Sequence, residues 1–325
     1  MDLTRLVLAN KDIKSVKESF EKGKASHAYI IEGEESFVRR ALVVLSAIAL
    51  CPKNGCMMCP ACLSSLKGVN IDCVSYPDLK DHDRIKVEDI NDLTALSGVR
   101  PQTGENKVFL IDATKQSYAI NWQHKLLKVL EEPCMGVYIF IGVTNAGELL
   151  PTVRSRCFLV SLEKTPVKQI ADYFISSGFP PSYSGFAAVL SEGNAHKAEE
   201  ILVDKEYQKM CDDTFDMFIN MASSSQALFY VERFLKYESK RKGLFTLMQA
   251  ILLDCVKQDF SLALLSGFKA QLQQIAKGYS PLAASVIAEE IDKVSSDVDK
   301  GANFAFALDY IIMKILEVKY KCRQS

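Results

Sequence analysis

Two kinds of pattern divide the chain. Up to about Leu162, short runs of apolar residues alternate with stretches in which apolar positions recur every three or four residues; beyond it only the second kind remains. The runs 26–33 and 71–76 read as short strands, and 107–112 and 137–142 as buried strands. A further short strand is expected at residue 85, ahead of a helix to residue 96 that carries Ile90, Leu93 and Leu96 on one side. Asp112 ends the 107–112 run where a buried strand surfaces, which suits the edge of a sheet. Helices are expected over 11–22, with Ile13, Val16 and Phe20 at helical spacing and Gly23 as the stop. Others are expected over 37–50 and over 120–132, the last burying Leu126, Leu127, Val129 and Leu130 and ending at Pro133. Strands alternating with crossover helices make an α/β domain with a parallel sheet over 1–162.

After Leu162 the spacing predicts helices over 166–176, 182–190 and 195–202, broken by Gly178-Phe-Pro-Pro181 and Glu192-Gly-Asn194. These form a compact three-helix domain over 163–204. Six longer helices follow, at 207–221, 226–237, 243–258, 268–277, 282–295 and 303–320, giving an all-α domain over 205–325.

A chain of 325 residues with 48% hydrophobic content has enough apolar surface for two or three cores. Its formal charge is −1, so no global field draws it to nucleic acid, and any such contact must be local. The most basic run, 236–242, reads as a solvated helix face or interhelical turn, with a phosphate contact as the alternative. The first ten residues are too short and interrupted for a signal peptide. No apolar run reaches the roughly 18 residues that span a bilayer, so a cytoplasmic protein without membrane contact is expected. Trp122, the one tryptophan, opens a helix and is expected to pack inside, with a subunit interface as the alternative.

Ten cysteines would make a sparse disulfide framework, and four of them cluster as Cys51, Cys56, Cys59 and Cys62. Four thiolates in so short a span match a tetrahedral zinc site, and Gly55 and the neighbouring prolines permit the turns that let them converge. Four protein ligands leave no open coordination position, so the role is structural. The gap from Cys51 to Cys56 is short, which leaves Cys73 as a second candidate for the first ligand. Cys73 otherwise reads as a buried strand thiol, and Cys134, Cys157, Cys211, Cys255 and Cys322 as buried or inert.

Two runs carry a family resemblance. Lys125-Leu-Leu-Lys-Val-Leu-Glu-Glu-Pro133, followed by Leu149-Leu-Pro-Thr-Val-Arg-Ser-Arg-Cys157, resembles the clamp-loader branch of the AAA+ ATPases, and the cysteine cluster resembles the zinc module inserted in bacterial members. The resemblance implies a RecA-like parallel sheet, a helical lid at 163–204 and a C-terminal collar through which subunits assemble. It implies that Arg156 is an arginine finger, reaching the phosphates of ATP held by a neighbouring subunit. A planar cation with several donors suits that task. His27 matches the lead into the first strand and is expected to bond backbone; Thr144 occupies the family's first sensor position and is expected only to cap.

The chain's own nucleotide site departs from the family. A phosphate-binding loop needs G-x-x-x-x-G-K-[ST], where glycines let amides wrap the phosphates, lysine neutralises charge and the hydroxyl holds magnesium. Here Gly33 is kept, but the second glycine is Val38, the lysine Arg39 and the hydroxyl position Arg40, with glutamates at 34 and 35. The acidic pair after the 107–112 strand is reduced to Asp112, followed by Ala113 and Thr114, and the lid's sensor arginine is replaced by His196 or Lys197. No productive ATP binding is expected. Among family members this points to a non-hydrolysing subunit in a hetero-pentamer with gamma/tau ATPase subunits and a delta subunit. The resemblance would connect it, through the complex, to the sliding clamp, to primer-template DNA and to the holoenzyme's DNA-directed DNA polymerase activity. The alternatives are an ATP-hydrolysing gamma/tau-type motor and a free-standing zinc protein that binds DNA.

Overall fold

The structure, a computed structural model, describes all residues except 1–3, 78–83, 116–119, 258–259, 261–262 and 325; at 120 and 322–324 only the backbone is described. Cys322 therefore lies outside the described side chains. The chain divides into two compact units, Met1–Lys164 and Thr165–Ser325.

In the first unit two short helices, α1 (Thr4–Ala9) and α2 (Lys11–Glu21), lead to β1 (Ala28–Glu32), α3 (Glu35–Ala49), α4 (Pro60–Leu66), β2 (Cys73–Tyr76) and α5 (Val87–Ser97). Then come β3 (Lys107–Asp112), α6 (Ile120–Glu131), β4 (Val137–Val143), α7 (Pro151–Arg154) and β5 (Phe158–Ser161). The sheet is parallel throughout, in the order β2-β3-β4-β1-β5. In register, Ile30 of β1 faces Ile141 of β4 on one side and Leu159 of β5 on the other. The connection from β1 runs outward to β2, whereas that from β4 crosses β1 to β5. The carboxyl ends of β1 and β4 therefore flank the point where the winding reverses, the place where such sheets form ligand crevices.

Strand alternation splits the core in two. Ala28, Ile30, Phe109, Ile111, Ile139 and Ile141 face α5 and α6, whose Ile90, Leu93, Trp122, Leu126 and Leu130 close that side. Tyr29, Ile31, Val108, Leu110 and Phe140 face α2 and α3 through Ile13, Phe20, Val38, Leu42 and Leu45. Trp122 is thus a core residue. A Cβ on Gly142 would lie 2.8 Å from both Leu42 and Val38, so only glycine lets α3 lie this close to β4.

Three expectations change. β3 lies between β2 and β4 rather than at an edge, and Asp112 is buried at its end. Ile85 precedes α5 as irregular backbone and forms no strand; it is buried as a single core residue. The fifth strand is β5, whose Phe158 and Leu159 are exposed because this edge is paired on one side only.

The second unit contains, among its described residues, α8 (Val167–Ser176), α9 (Pro181–Leu190), α10 (Ala195–Val203), α11 (Lys205–Asn220), α12 (Ser224–Leu235), α13 (Arg241–Val256), α14 (Lys269–Ala276), α15 (Pro281–Asp299) and α16 (Phe304–Gln324). Helix α13 is apolar around its circumference and packs against α9, α11, α14 and α15. A Cβ on Gly267 would fall 2.4 Å from the Ser182 amide, so the turn before α14 sits directly on the start of α9. Residues 163–204 and 205–325 therefore share one packed unit, apart from the first two.

Two buried carboxylates of this unit are each held by several donors. Asp254 accepts from the Leu264 and Leu265 amides at 3.0 and 2.8 Å and from Lys257 at 2.6 Å. Asp213 accepts from Arg233 at 2.6 Å, Lys236 at 3.1 Å and the Tyr237 hydroxyl at 2.8 Å. In the basic run, Lys236 pairs with Asp213, Lys240 with Asp204 and Glu206, and Lys242 with Glu192. That fits a neutralised interhelical turn. Lys319, buried on α16, donates to the carbonyls of Phe218, Ile219 and Met221 at 2.7, 3.2 and 3.0 Å, supplying partners that the end of α11 lacks. Replacing Lys319 by Ala leaves those carbonyls buried and unpaired and opens a void. The expected loss is about 2–4 kcal/mol, read by urea unfolding, against less than about 0.5 kcal/mol for the exposed control Lys321→Ala.

Candidate functional site

Helix α3 begins two residues after Gly33, so Val38, Arg39 and Arg40 lie within the helix and no extended phosphate loop remains. The Glu34 carboxylate accepts from the Ser36 amide at 3.2 Å, the Phe37 amide at 3.1 Å and the Ser36 hydroxyl at 2.7 Å. Free amides at a helix start are a ready anion site, and here the chain's own carboxylate occupies it. Val38 is fully buried and lies 3.4 Å from where a Gly33 side chain would begin.

Arg39 points across to β3. Its Nε donates to Asp112 Oδ2 at 2.6 Å, and its Nη1 lies 3.2 Å from Glu35, which Lys115 also meets at 3.2 Å. The other Asp112 oxygen accepts from the Thr114 amide at 3.1 Å and hydroxyl at 2.5 Å. Both oxygens of the one retained acidic residue are therefore engaged within the chain. Arg40 turns away and donates to the Thr4 hydroxyl at 2.6 Å. Beside this network Glu32 accepts from the Ala146 amide at 2.7 Å and the Ser161 hydroxyl at 2.9 Å, tying together the ends of β1, β4 and β5. Thr144 is exposed, and in the turn after β4 the Asn145 side chain accepts from the Gly147 amide at 2.9 Å. His196 is exposed and 3.7 Å from Glu200, and Lys197 lines a cavity of about 230 Å³ with Lys240, Arg241 and Lys242, all in the second unit.

Helices α6 and α7 are locked together. Buried Gln123 accepts from the Leu150 amide at 2.7 Å where α7 starts, and Leu126, Val153 and Cys157 share the same core. His27 contacts the Leu130 carbonyl through Nε2 at 3.1 Å, the backbone role expected of it. Arg156, just past α7, is at the surface: Nη2 lies 2.7 Å from Glu131, and Nη1 donates to the Thr152 carbonyl at 2.9 Å. Arg154 is exposed.

The sulfurs of Cys51, Cys56, Cys59 and Cys62 all lie within 4.8 Å of one another, with Cys51 3.6 Å from both Cys56 and Cys59. A tetrahedral thiolate site with metal–sulfur bonds of about 2.3 Å separates its sulfurs by roughly 3.8 Å, so the set fits. Gly55 adopts φ +92°, and a Cβ there would strike Ile48 at 2.8 Å, so the turn requires glycine. Burial pushes the Cys51 thiol up, but amides of Cys56, Lys53 and Gly55 outweigh it and bring it down to about 6. Burial, with Cys51 and Cys59 alongside, pushes Cys62 up. Cys73 is outside the cluster, its thiol pushed up to about 11 by burial in β2, so Cys51 completes the group.

Residues 8–166 match the family model described as "DNA polymerase III, delta subunit". Together with the curated relatives, this match supports a clamp-loader family member over about half of the chain. The chain is 27% identical over 150 residues to DNA polymerase III subunit gamma of Buchnera aphidicola (subsp. Schizaphis graminum), covering 45% of this chain and 40% of that protein. It is 27% identical over 193 residues to DNA polymerase III subunit delta' of Bacillus subtilis, covering 58% of this chain and 57% of that one. The chain thus spans about half the length of these relatives. A gamma-subunit-related protein of Thermotoga maritima superposes with a TM-score of 0.39 at 16% identity over 95% of this chain and all of that one.

Sequence reading named the cysteine set, Asp112, Arg39 and Arg156; the structure brings the four cysteines together, joins Arg39 to Asp112 and places Arg156 beside Glu131. It missed Glu34 as a helix cap, Glu32, Gln123 and Glu131. Glutamate just before a helix start is a signal that could have identified Glu34; the other three depend on contacts between distant segments. The cysteine cluster is expected to take up Co²⁺ with the charge-transfer absorption of tetrahedral thiolate ligation. Uptake should weaken as pH falls, because the ligands, Cys62 above all, must give up protons. Cys62→Ser should abolish the band, whereas Cys134→Ser should leave it intact.

Proposed function

We propose that this chain is a non-hydrolysing, delta'-like subunit of a bacterial DNA polymerase III clamp loader, lending Arg156 in trans to the ATP site of an adjacent gamma/tau-type subunit. The observation that carries this reading is the closure of the chain's own site: Glu34 fills the start of α3, and Arg39 and Thr114 take both oxygens of Asp112. A magnesium-bound triphosphate would have to displace all of these, and no second acidic residue follows Asp112 to activate water. Arg156 supports the other half of the reading by lying at the surface on a helix pinned to α6.

In this role residues 1–162 form the nucleotide-binding-like domain, 163–204 the lid and 205–325 the collar of a hetero-pentamer with gamma/tau and delta subunits. Clamp and primer-template DNA are met through that complex. Zinc held by Cys51, Cys56, Cys59 and Cys62 would cross-link the insertion after α3 and contribute folding energy, with no open position for catalysis. A gamma/tau-type motor is the second reading, favoured by the similarity to subunit gamma of Buchnera aphidicola.

Calorimetric titration of the isolated chain with Mg·ATP separates the two: no saturable heat is expected, and tight binding would establish the motor reading. Arg156→Ala, assembled with the partner ATPases, is expected to slow hydrolysis at the adjacent site by about 10³-fold or more while leaving assembly intact. Unchanged turnover at that site in single-turnover assays would remove the finger assignment.

A further inference from the structure

We infer that Glu131 is a positioning residue for Arg156, fixing the guanidinium before a neighbour's triphosphate arrives; this rests on the reading of Arg156 as a trans-acting cation. Arginine is a long side chain with large rotamer freedom, and a cation that must meet a transition state gains from being held beforehand. Here two elements hold it. Glu131, at the end of α6, meets Nη2 at 2.7 Å, and the Thr152 carbonyl of α7 accepts from Nη1 at 2.9 Å, with the Ser155 hydroxyl a weaker partner at 3.4 Å. A guanidinium carries five donors, so these contacts orient its plane and leave others for a ligand.

The tether is specific. The side chain of Arg154, two residues earlier and exposed, has no hydrogen-bond or ion-pair partner among the described residues. The α6 end of the bridge is itself fixed, because Leu126 and Leu130 are buried in the sheet core, His27 contacts the Leu130 carbonyl, and Gln123 holds the Leu150 amide. The bridge also joins the two runs, 125–133 and 149–157, that carry the family resemblance. Because the Arg156 and Glu131 side chains are 35% and 50% exposed, water and salt screen the pair, so a triphosphate can draw the arginine onward without a large opposing cost.

The test uses the full chain assembled with its ATPase partners and follows steady-state hydrolysis for wild type, Glu131→Ala, Glu131→Gln, Arg156→Ala and the Glu131→Ala/Arg156→Ala double variant. Glu131→Ala is expected to lower kcat at the adjacent site about fivefold with KM unchanged. Glu131→Gln, which keeps an acceptor for Nη2, should retain most activity, and the double variant should match Arg156→Ala alone. A Glu131→Ala loss that persists in the Arg156→Ala background, or none at all where Arg156→Ala is impaired, overturns the assignment of Glu131. An Arg156→Ala variant with full activity instead overturns the reading of Arg156, and the role of Glu131 with it.

Discussion

A buried carboxylate at the end of a central strand must find compensating charge and hydrogen bonds, and in this chain Asp112 finds all of it internally. Arg39 reaches it from α3, and Thr114 folds back onto its second oxygen. Ionised groups this deeply buried persist only when paired, so the position of α3 against β3 and the occupation of the crevice are one fact. Glu34 completes the closure at the other side by satisfying amides that would otherwise face an incoming anion. A nucleotide would have to compete with charge that is already in place.

The parallel sheet was legible in the sequence because β1, β3 and β4 bury both faces. Their near-continuous apolar runs are what that geometry demands. The loss of a phosphate loop was legible as substitutions at Val38, Arg39 and Arg40. Its form was not: position-by-position comparison presumes that a loop still exists, whereas Glu34 starts a helix in its place. Edge strand β5 escaped notice because its apolar run, Phe158 to Val160, is so short, and Ile85 suggested a strand because one buried apolar residue beside a helix start looks like the end of one.

In the second unit, periodicity placed the helices and could not place their partners. Lys319 and the end of α11 are about a hundred residues apart, and the carboxylates of Asp213 and Asp254 hold together turns whose composition is merely polar. Such residues read as surface charges in a one-dimensional pattern, since Lys and Asp are mostly exposed. The cysteine set was the opposite case: short spacing confines four thiols to one neighbourhood whatever the rest of the chain does.

Helix α3 links these features. Its first turn is capped by Glu34 and its second is bound to β3 through Arg39. At its far end the Asn106 side chain donates to the Ala49 carbonyl at 2.7 Å, and the Cys62 thiol contacts the Ala47 carbonyl at 3.5 Å, so the cysteine module sits on the last turn. In a phosphate-loop protein the start of this helix must stay open to receive a ligand. Here the amides at one end and the carbonyls at the other both have partners from the chain itself, leaving a strut fixed at each end. The proposed stationary subunit requires that rigidity, because a cation offered to a neighbour is only as well placed as the sheet and helices behind it.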